Sequence, residues 1–328
     1  MCDVANDSLG TESEAIVVVH KGNQSYFCDC LEYARRCNPG VRMIVIGTHN
    51  PLISDSNTLF VDISKAEATS FSEIYKHFSG NSYSYELFCF ERWFIILSVM
   101  RQCGIKRACY LDSDVLLDDV SKELRSSEYL FTFDSGHCSF FTDSQLSNLC
   151  DYIVNCYSDE RELRYLESVW KNRKACGLSA GVSDMTLIRR FALLECENAV
   201  DLSIARNGSV YDHNVNLSDG YFLAHEGKKA IVGYQGHLHF VDHTTFSLVR
   251  AKGVHFQGLA KKYMQVVSRL ETSEFPQLFN YSDCEWIPFS WRTKANEPLT
   301  MRIDSFSDKV AKKLKAINER VKMGIQDD

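Results

Sequence analysis

The stretch RACYLDSDVLLDD, residues 107–119, decides how the chain is read. Ala108 to Leu111, led in by Arg107, make a short apolar run with strand character, and Val115, Leu116 and Leu117 resume it. Between the two runs stand Asp112 and Asp114, with Ser113 separating them. Like charges at the mouth of an apolar strand repel each other and are costly to bury. Such a pair either faces solvent in a strand-end turn or flanks a divalent cation that itself meets an anionic ligand. Hard oxygen donors suit Mg²⁺ or Mn²⁺, ions that bridge readily to diphosphate oxygens.

The residues upstream give this strand its setting. AIVVVH (15–20) reads as a buried strand, SYFCDCLEYARRCNPG (25–40) as a helix stopped by Pro39 and Gly40, and VRMIVIG (41–47) as a second strand. A short third strand follows at LFVDI (59–63), then helical segments around SFSEIYKHF (70–78) and from 84 to 103, closed by Gly104. Strands alternating with helices predict parallel pairing through right-handed crossovers, hence a doubly wound α/β fold with helices on both faces. Ligands in such sheets bind at the carboxyl ends of strands. That brings VHKGN (19–23), IGTHN (46–50) and DSD (112–114) to one edge. The sheet is expected to continue through KKAIVGYQ (228–235).

Composition narrows the function. The chain has 328 residues, 45% hydrophobic and 24% charged, enough for one large or two modest domains. A net charge of −7 argues against a protein that binds nucleic acid by neutralising phosphates. The acidic, polar start MCDVANDSLGTESE has no secretory-signal pattern, and LFCFERWFIILSVM (87–100) is too short and too charged to cross a bilayer. Thirteen scattered cysteines never form a C-x-x-C pair and read as reduced thiols. The expectation is a cytoplasmic enzyme.

Two further features bear on the acid pair. Glu91 and Arg92 are the only charges between Leu87 and Met100, and a guanidinium so placed needs a partner, either a phosphate or an acid elsewhere. Downstream, KGVHFQGLAKKY (252–263) spaces His255, Gly258 and Lys261 so that an imidazole, a close backbone approach and a flexible cation could meet one phosphate.

Together, YLDSDVLL (110–117) and HFQGLAK (255–261) resemble the DxD and HxxGxxK elements of GT-A-type glycosyltransferases, in particular the retaining family that includes glycogenin and lipopolysaccharide galactosyltransferases. The resemblance spans roughly residues 15 to 265. It implies a GT-A-like, Rossmann-type nucleotide-binding fold with a mixed sheet. It also implies Mn²⁺ or Mg²⁺ held by Asp112, Asp114 and His255, with Lys261 at the donor diphosphate and with Asp112, Ser113 and Gly258 among the donor-binding residues. Val19, His20 and Lys21 would meet the nucleotide base, and Arg92 would approach the donor phosphates. Asp184, in GLSAGVSDMTLI (177–188), is the candidate catalytic residue near the transferred sugar. FDSGHCSFF (133–141) loosely resembles the family's donor-sugar segment. The chain has Lys262-Tyr263 where the family has Pro-Trp, and Ser183-Asp184 where it has Asp-Gln.

The implied donor is a nucleotide sugar, a UDP-sugar by resemblance, and the implied acceptor a glycan, lipid-linked or protein. Residues 1–14 are expected to be a flexible start. A catalytic domain would follow at 15–270, its donor half about 15–175 and its acceptor half about 176–270. An aromatic and helical extension would close the chain at 271–328. In that extension EFPQLFNYSDCEWIPFSWR (274–292) reads as core. SDKVAKKLKAINERVKMG (307–324) places Val310, Leu314, Ile317 and Val321 on one face of a basic helix. Such a helix is suited to docking on its own domain or to peripheral contact with an anionic membrane.

Three other readings compete. YLDSDVLL also resembles the first motif of haloacid-dehalogenase-type phosphatases, in which the first aspartate is the nucleophile, but that motif normally opens its domain. GHLHFVDH (236–243) resembles the HxHxDH zinc element of metallo-β-lactamase-like hydrolases, with one residue too many between His239 and Asp242. A non-catalytic nucleotide-sugar-binding protein is the third. Asp118 and Asp119 read as helix-start acids.

Overall fold

β1 (Glu14–His20) is buried on both faces from Ala15 onward, as a near-continuous apolar strand inside a parallel sheet must be. It belongs to a computed structural model that describes residues 13–51, 55–65, 69–133, 135–178, 181–218 and 220–289. The basic helix expected at 307–324 lies outside the described residues, as does most of the expected flexible start. After β1 come α1 (Tyr26–Cys37), β2 (Arg42–Gly47), β3 (Thr58–Asp62), a short α2 (Phe71–Ile74), α3 (Tyr83–Gln102) and β4 (Arg107–Leu111). The four strands pair in parallel in the order β3-β2-β1-β4, so the segments after β1, β2 and β4 share one edge.

These bounds follow the sequence pattern closely, with one correction. The segment 70–78 is helical only over α2, because Tyr75 turns to extended backbone (ψ 131°) and packs its ring against Phe71 and Phe90. α3 is apolar nearly all round, and Phe90, Trp93, Ile96 and Met100 are fully buried. A helix with that pattern belongs inside, between sheet and neighbouring helices.

Next come β5 (Val115–Leu117), α4 (Ser121–Leu124), β6 (Tyr129–Phe131), β7 (Cys138–Thr142), α5 (Asp143–Ser158), α6 (Glu160–Ala175), α7 (Asp184–Leu194) and β8 (Ala199–Asp201). The first sheet runs β3-β2-β1-β4-β7-β6-β8, and β7 is antiparallel to both its neighbours. The sheet is therefore mixed.

The rest of the described chain builds a second sheet. In chain order come β9 (Ser209–Tyr211), β10 (Ala224–His225), β11 (Lys228–Lys229), β12 (Val232–Tyr234), β13 (His237–Val241), β14 (Leu248–His255), α8 (Met264–Ser268), β15 (Gln277–Asn280) and β16 (Glu285–Pro288), of which β10 and β11 pair only with each other as a separate hairpin. KKAIVGYQ thus does not continue the first sheet; its apolar part is β12, in the order β16-β15-β12-β13-β14-β5. The reason is local. Tyr234 pairs with His237 across Gln235 and Gly236, both at positive φ (51° and 79°), a two-residue turn that folds β13 straight back.

Alternate residues of β1 feed two cores. Ile16 and Val18 meet α1, α8 and the second sheet, whereas Ala15, Val17 and Val19 meet α2, α3, α5 and α7. This is the α/β class read from the sequence, a mixed sheet with helices on both faces, compatible with a GT-A-like, Rossmann-type fold. Of the aromatic stretch, Phe279 and Tyr281 enter the core while Phe275 is exposed. The described cysteines are all free, and most are buried. No helix among the described residues is long and apolar enough to cross a membrane.

Candidate active site

One strand pairing assembles the site. β5 leaves the first sheet and runs antiparallel to β14, with Val115 opposite His255 and Leu117 opposite Gly253. Phe256 N donates to Asp114 O at 2.9 Å, which fixes the register beside the acid pair. His255 Nε2 consequently lies 3.3 Å from Asp114 Oδ1. Asp112, Asp114 and His255 offer ligand atoms all within 4.8 Å of one another, and no other such group occurs among the described residues.

The chemistry of this set fits a divalent cation. His255 Nδ1 donates to the His213 carbonyl at 2.7 Å, so a neutral ring turns its Nε2 lone pair towards the carboxylates. Two electron-rich atoms facing each other at that distance call for a proton or a metal ion between them. Burial disfavours the imidazolium, but the hydrogen bond and charge of Asp114 outweigh it and raise the His255 pKa. Burial also pushes Asp114 upward, yet His255 and Lys261 overcome it and hold that carboxyl at about 2. Asp112 behaves oppositely, since burial raises it in spite of the nearby Arg92 charge.

Lys261 Nζ lies 3.1 Å from Asp114 Oδ2 and 4.8 Å from the centre of the Tyr26 ring. Gly258 opens the same turn at a φ of +57°, a conformation suited to glycine. Asp112 Oδ1 accepts from Arg92 Nη1 at 2.9 Å and from the Tyr110 hydroxyl. Arg92 extends its other arm to Asp184 Oδ2 at 2.6 Å, where Trp93 Nε1 also donates at 3.0 Å. The arginine on the apolar helix therefore has two acid partners. Ser113 Oγ meets His20 Nδ1 at 2.9 Å, and the His20 ring stacks on Phe27 at 4.2 Å.

The remaining expected residues sit differently. The Val19 side chain packs into the core beside α3, and Lys21 Nζ rests 3.9 Å from the centre of the Phe88 ring. His237 and His239 share a face of β13, but neither joins a metal-ligand cluster. His237 Nδ1 instead lies 3.3 Å from Asp118 Oδ1. Asp118 is not a helix-start acid: it is buried, and Arg250 Nη2 donates to it at 2.9 Å. Asp119 does serve that role, accepting from Ser121 N at 3.0 Å as α4 begins.

Sequence reasoning passed over Tyr110, Trp93 and His137. Tyr110 had a signal, because strand alternation puts it on the same face as Asp112. His137 had none. Its fully buried ring stacks on His255 at 4.2 Å and its Nδ1 shares a hydrogen bond with Ser135 Oγ. Only the pairing of β4 with β7, Leu111 opposite Cys138, brings it there.

No protein-family model matches the chain, and no curated protein does. Among solved structures it is similar to the galactosyltransferase LgtC, solved in complex with donor and acceptor sugar analogues. The identity is 12% over 53% of this chain and 69% of that one, with a TM-score of 0.32.

Proposed function

We propose that this chain is a metal-dependent glycosyltransferase that takes a sugar from a nucleotide-sugar donor. On the motif resemblance the donor is a UDP-sugar, the acceptor a glycan, lipid-linked or protein, and the anomeric configuration is retained. The observation that carries the proposal is the convergence of Asp112, Asp114, His255 and Lys261 at the carboxyl end of β4. A Mn²⁺ or Mg²⁺ ion held by Asp112, Asp114 and His255 would supply positive charge to a diphosphate leaving group.

The chain's own residues account for the rest. Negative charge builds on the diphosphate as the anomeric bond breaks, so a cation that meets it more closely in the transition state accelerates the reaction. Lys261 is such a cation, on a flexible stem and held beside Asp114 until a phosphate replaces the carboxylate. The Gly258 backbone, with no Cβ, admits close approach of that phosphate. Arg92, tied between Asp112 and Asp184, aims the first acid. Asp184 then acts through Arg92 and Trp93, and we assign it a positioning role. His20 and Ser113, joined at 2.9 Å, with the backbone of Val19 and Lys21, would line the nucleotide.

A phosphatase would use its first aspartate as a nucleophile; Asp112 Oδ1 accepts from Arg92 and Tyr110, which leaves Oδ2 open to either role, and substrate choice separates the two readings. The test is a screen of nucleotide sugars with Mn²⁺, read as slow donor hydrolysis and as protection against heat. A UDP-specific, chelator-sensitive response supports the proposal. Indifference to every nucleotide overturns it, and phosphate release from simple phosphoesters alone would favour a phosphatase.

A further inference from the structure

A cavity of about 530 Å³ opens beside the turn that carries Gly258 and Lys261. Gly258 itself is part of its lining, with Asn214, Asn216, Gln257, Lys228 and Lys262. The segments that hold these residues also hold the acid–imidazole cluster. Val215 N donates to His255 O at 3.0 Å, and Phe256, next to Gln257, donates to Asp114 O at 2.9 Å. Whatever occupies the cavity lies next to the proposed donor diphosphate.

The lining has a definite chemistry. Asn214 Nδ2 donates to Gln257 Oε1 at 2.6 Å and Asn216 Nδ2 to Gln257 O at 2.8 Å, so the amides are fixed in place. Each still has donor or acceptor capacity left for hydroxyl groups. Leu259, 90% exposed, offers apolar surface for the face of a sugar.

The charges are one-sided. Among the described residues no carboxylate lines the cavity, and its two lysines turn their ammonium groups to aromatic rings. Lys262 Nζ is 4.8 Å and Lys228 Nζ 5.7 Å from the centre of the Tyr263 ring, and Lys228 is 5.1 Å from that of Tyr281. Such contacts hold a cation weakly, by about 0.5–1 kcal/mol where exposed, and leave its charge unneutralised. On a chain of net charge −7, two lysines over one ring give this wall a positive charge that an anion can meet. A neutral saccharide would have no use for them.

We infer that this cavity is the acceptor subsite and that it takes a saccharide bearing a negative charge, as a carboxylate or a phosphate. The inference rests on the glycosyltransferase reading above. It concerns residues 228 and 262, which play no part in the proposed metal and diphosphate site.

The full chain is titrated calorimetrically at low salt with a glucuronate-terminated disaccharide, with glucose 6-phosphate and with a neutral disaccharide. At least one charged probe is expected to bind on the order of tenfold more tightly than the neutral one. Which charged probe wins identifies the source of the charge. The preference should disappear in the double variant Lys228→Gln, Lys262→Gln and persist in Lys228→Arg, Lys262→Arg, with thermal melts reporting on folding. Equal binding of all three probes, or a preference that survives the glutamine variant, overturns the inference. A parallel Mn²⁺ titration separates it from the donor reading. Mn²⁺ binding without charge preference sinks the inference alone, whereas charge preference without Mn²⁺ binding sinks the donor reading and its acceptor label, leaving an anionic-saccharide site.

Discussion

Arg92 and Asp184 meet at 2.6 Å with side chains only 12% and 2% exposed, and the other arm of the same guanidinium reaches Asp112 at 2.9 Å. One planar fork thus ties α7 to the first acid of the site. A lysine offers a point charge and cannot span both carboxylates. Arg92→Lys is expected to lower the unfolding free energy by about 3 kcal/mol, since a buried acid loses its partner. It should also weaken Mn²⁺ binding by roughly 10-fold or more, as loss of an orienting partner usually does. Urea denaturation and a Mn²⁺ titration read the two effects separately.

His255 and Lys261 both lean on Asp114, at 3.3 and 3.1 Å, but their substitutions should separate. His255→Ala removes a proposed metal ligand, and Mn²⁺ affinity should fall by on the order of 10²-fold with UDP binding lost alongside. Lys261→Ala leaves all three ligand side chains in place. It should keep Mn²⁺ within a few-fold of the parent while donor hydrolysis drops by about 10²-fold, the usual effect of losing one charge-stabilising contact. Equal loss of Mn²⁺ in both variants would remove the distinction between ligand and phosphate contact.

The parallel half of the first sheet was legible because β1, β2 and β4 are short apolar runs bounded by turn residues, which periodicity alone identifies. The approach of His255 to Asp112 and Asp114 was legible only as motif resemblance. Its cause, the β5–β14 register, is a long-range pairing that no local pattern encodes. The second sheet was hidden for a related reason. KKAIVGYQ is too short to declare its partner, and the turn at Gln235 and Gly236 lacks the Asn-Gly signature that marks most two-residue hairpins. Asp118 was misread because an acid three residues before α4 looks like a helix-start residue, while its real partner, Arg250, lies more than a hundred residues away.

Gly181 seats α7. A Cβ at that position would stand 1.9 Å from the Phe78 carbonyl oxygen, and that same oxygen accepts from Val182 N at 2.8 Å. The obstacle is backbone engaged in a hydrogen bond, so it has little freedom to retreat. Gly181→Ala is expected to destabilise the fold by about 3 kcal/mol, the upper end for overpacking, and to disturb Asp184 and hence Arg92. Gly40→Ala, where a Cβ meets nothing within 4 Å, is the control and should change stability little. Thermal melts of the two variants make the comparison.

Asp118 should give the fold a measurable acid sensitivity. Burial raises its pKa, but the Arg250 hydrogen bonds, the Asp119 backbone N–H and the charges of Arg250 and His237 more than offset this, and the carboxyl is held below its ordinary value. A folded-state pKa below the unfolded one means that the bound proton favours unfolding. The stabilisation is complete above the unfolded value of about 3.9 and drains away as pH falls through the folded one. Asp118→Asn removes that titration and the carboxylate charge opposite Arg250. Because the Arg250 side chain is 34% exposed, the cost near neutral pH should be about 2 kcal/mol rather than the ~3–5 of a fully buried pair. Urea denaturation should show the gap between parent and variant narrowing steadily below about pH 4. A gap that stays constant into acid would mean that the carboxylate charge contributes nothing there and that the side chain matters only by its shape.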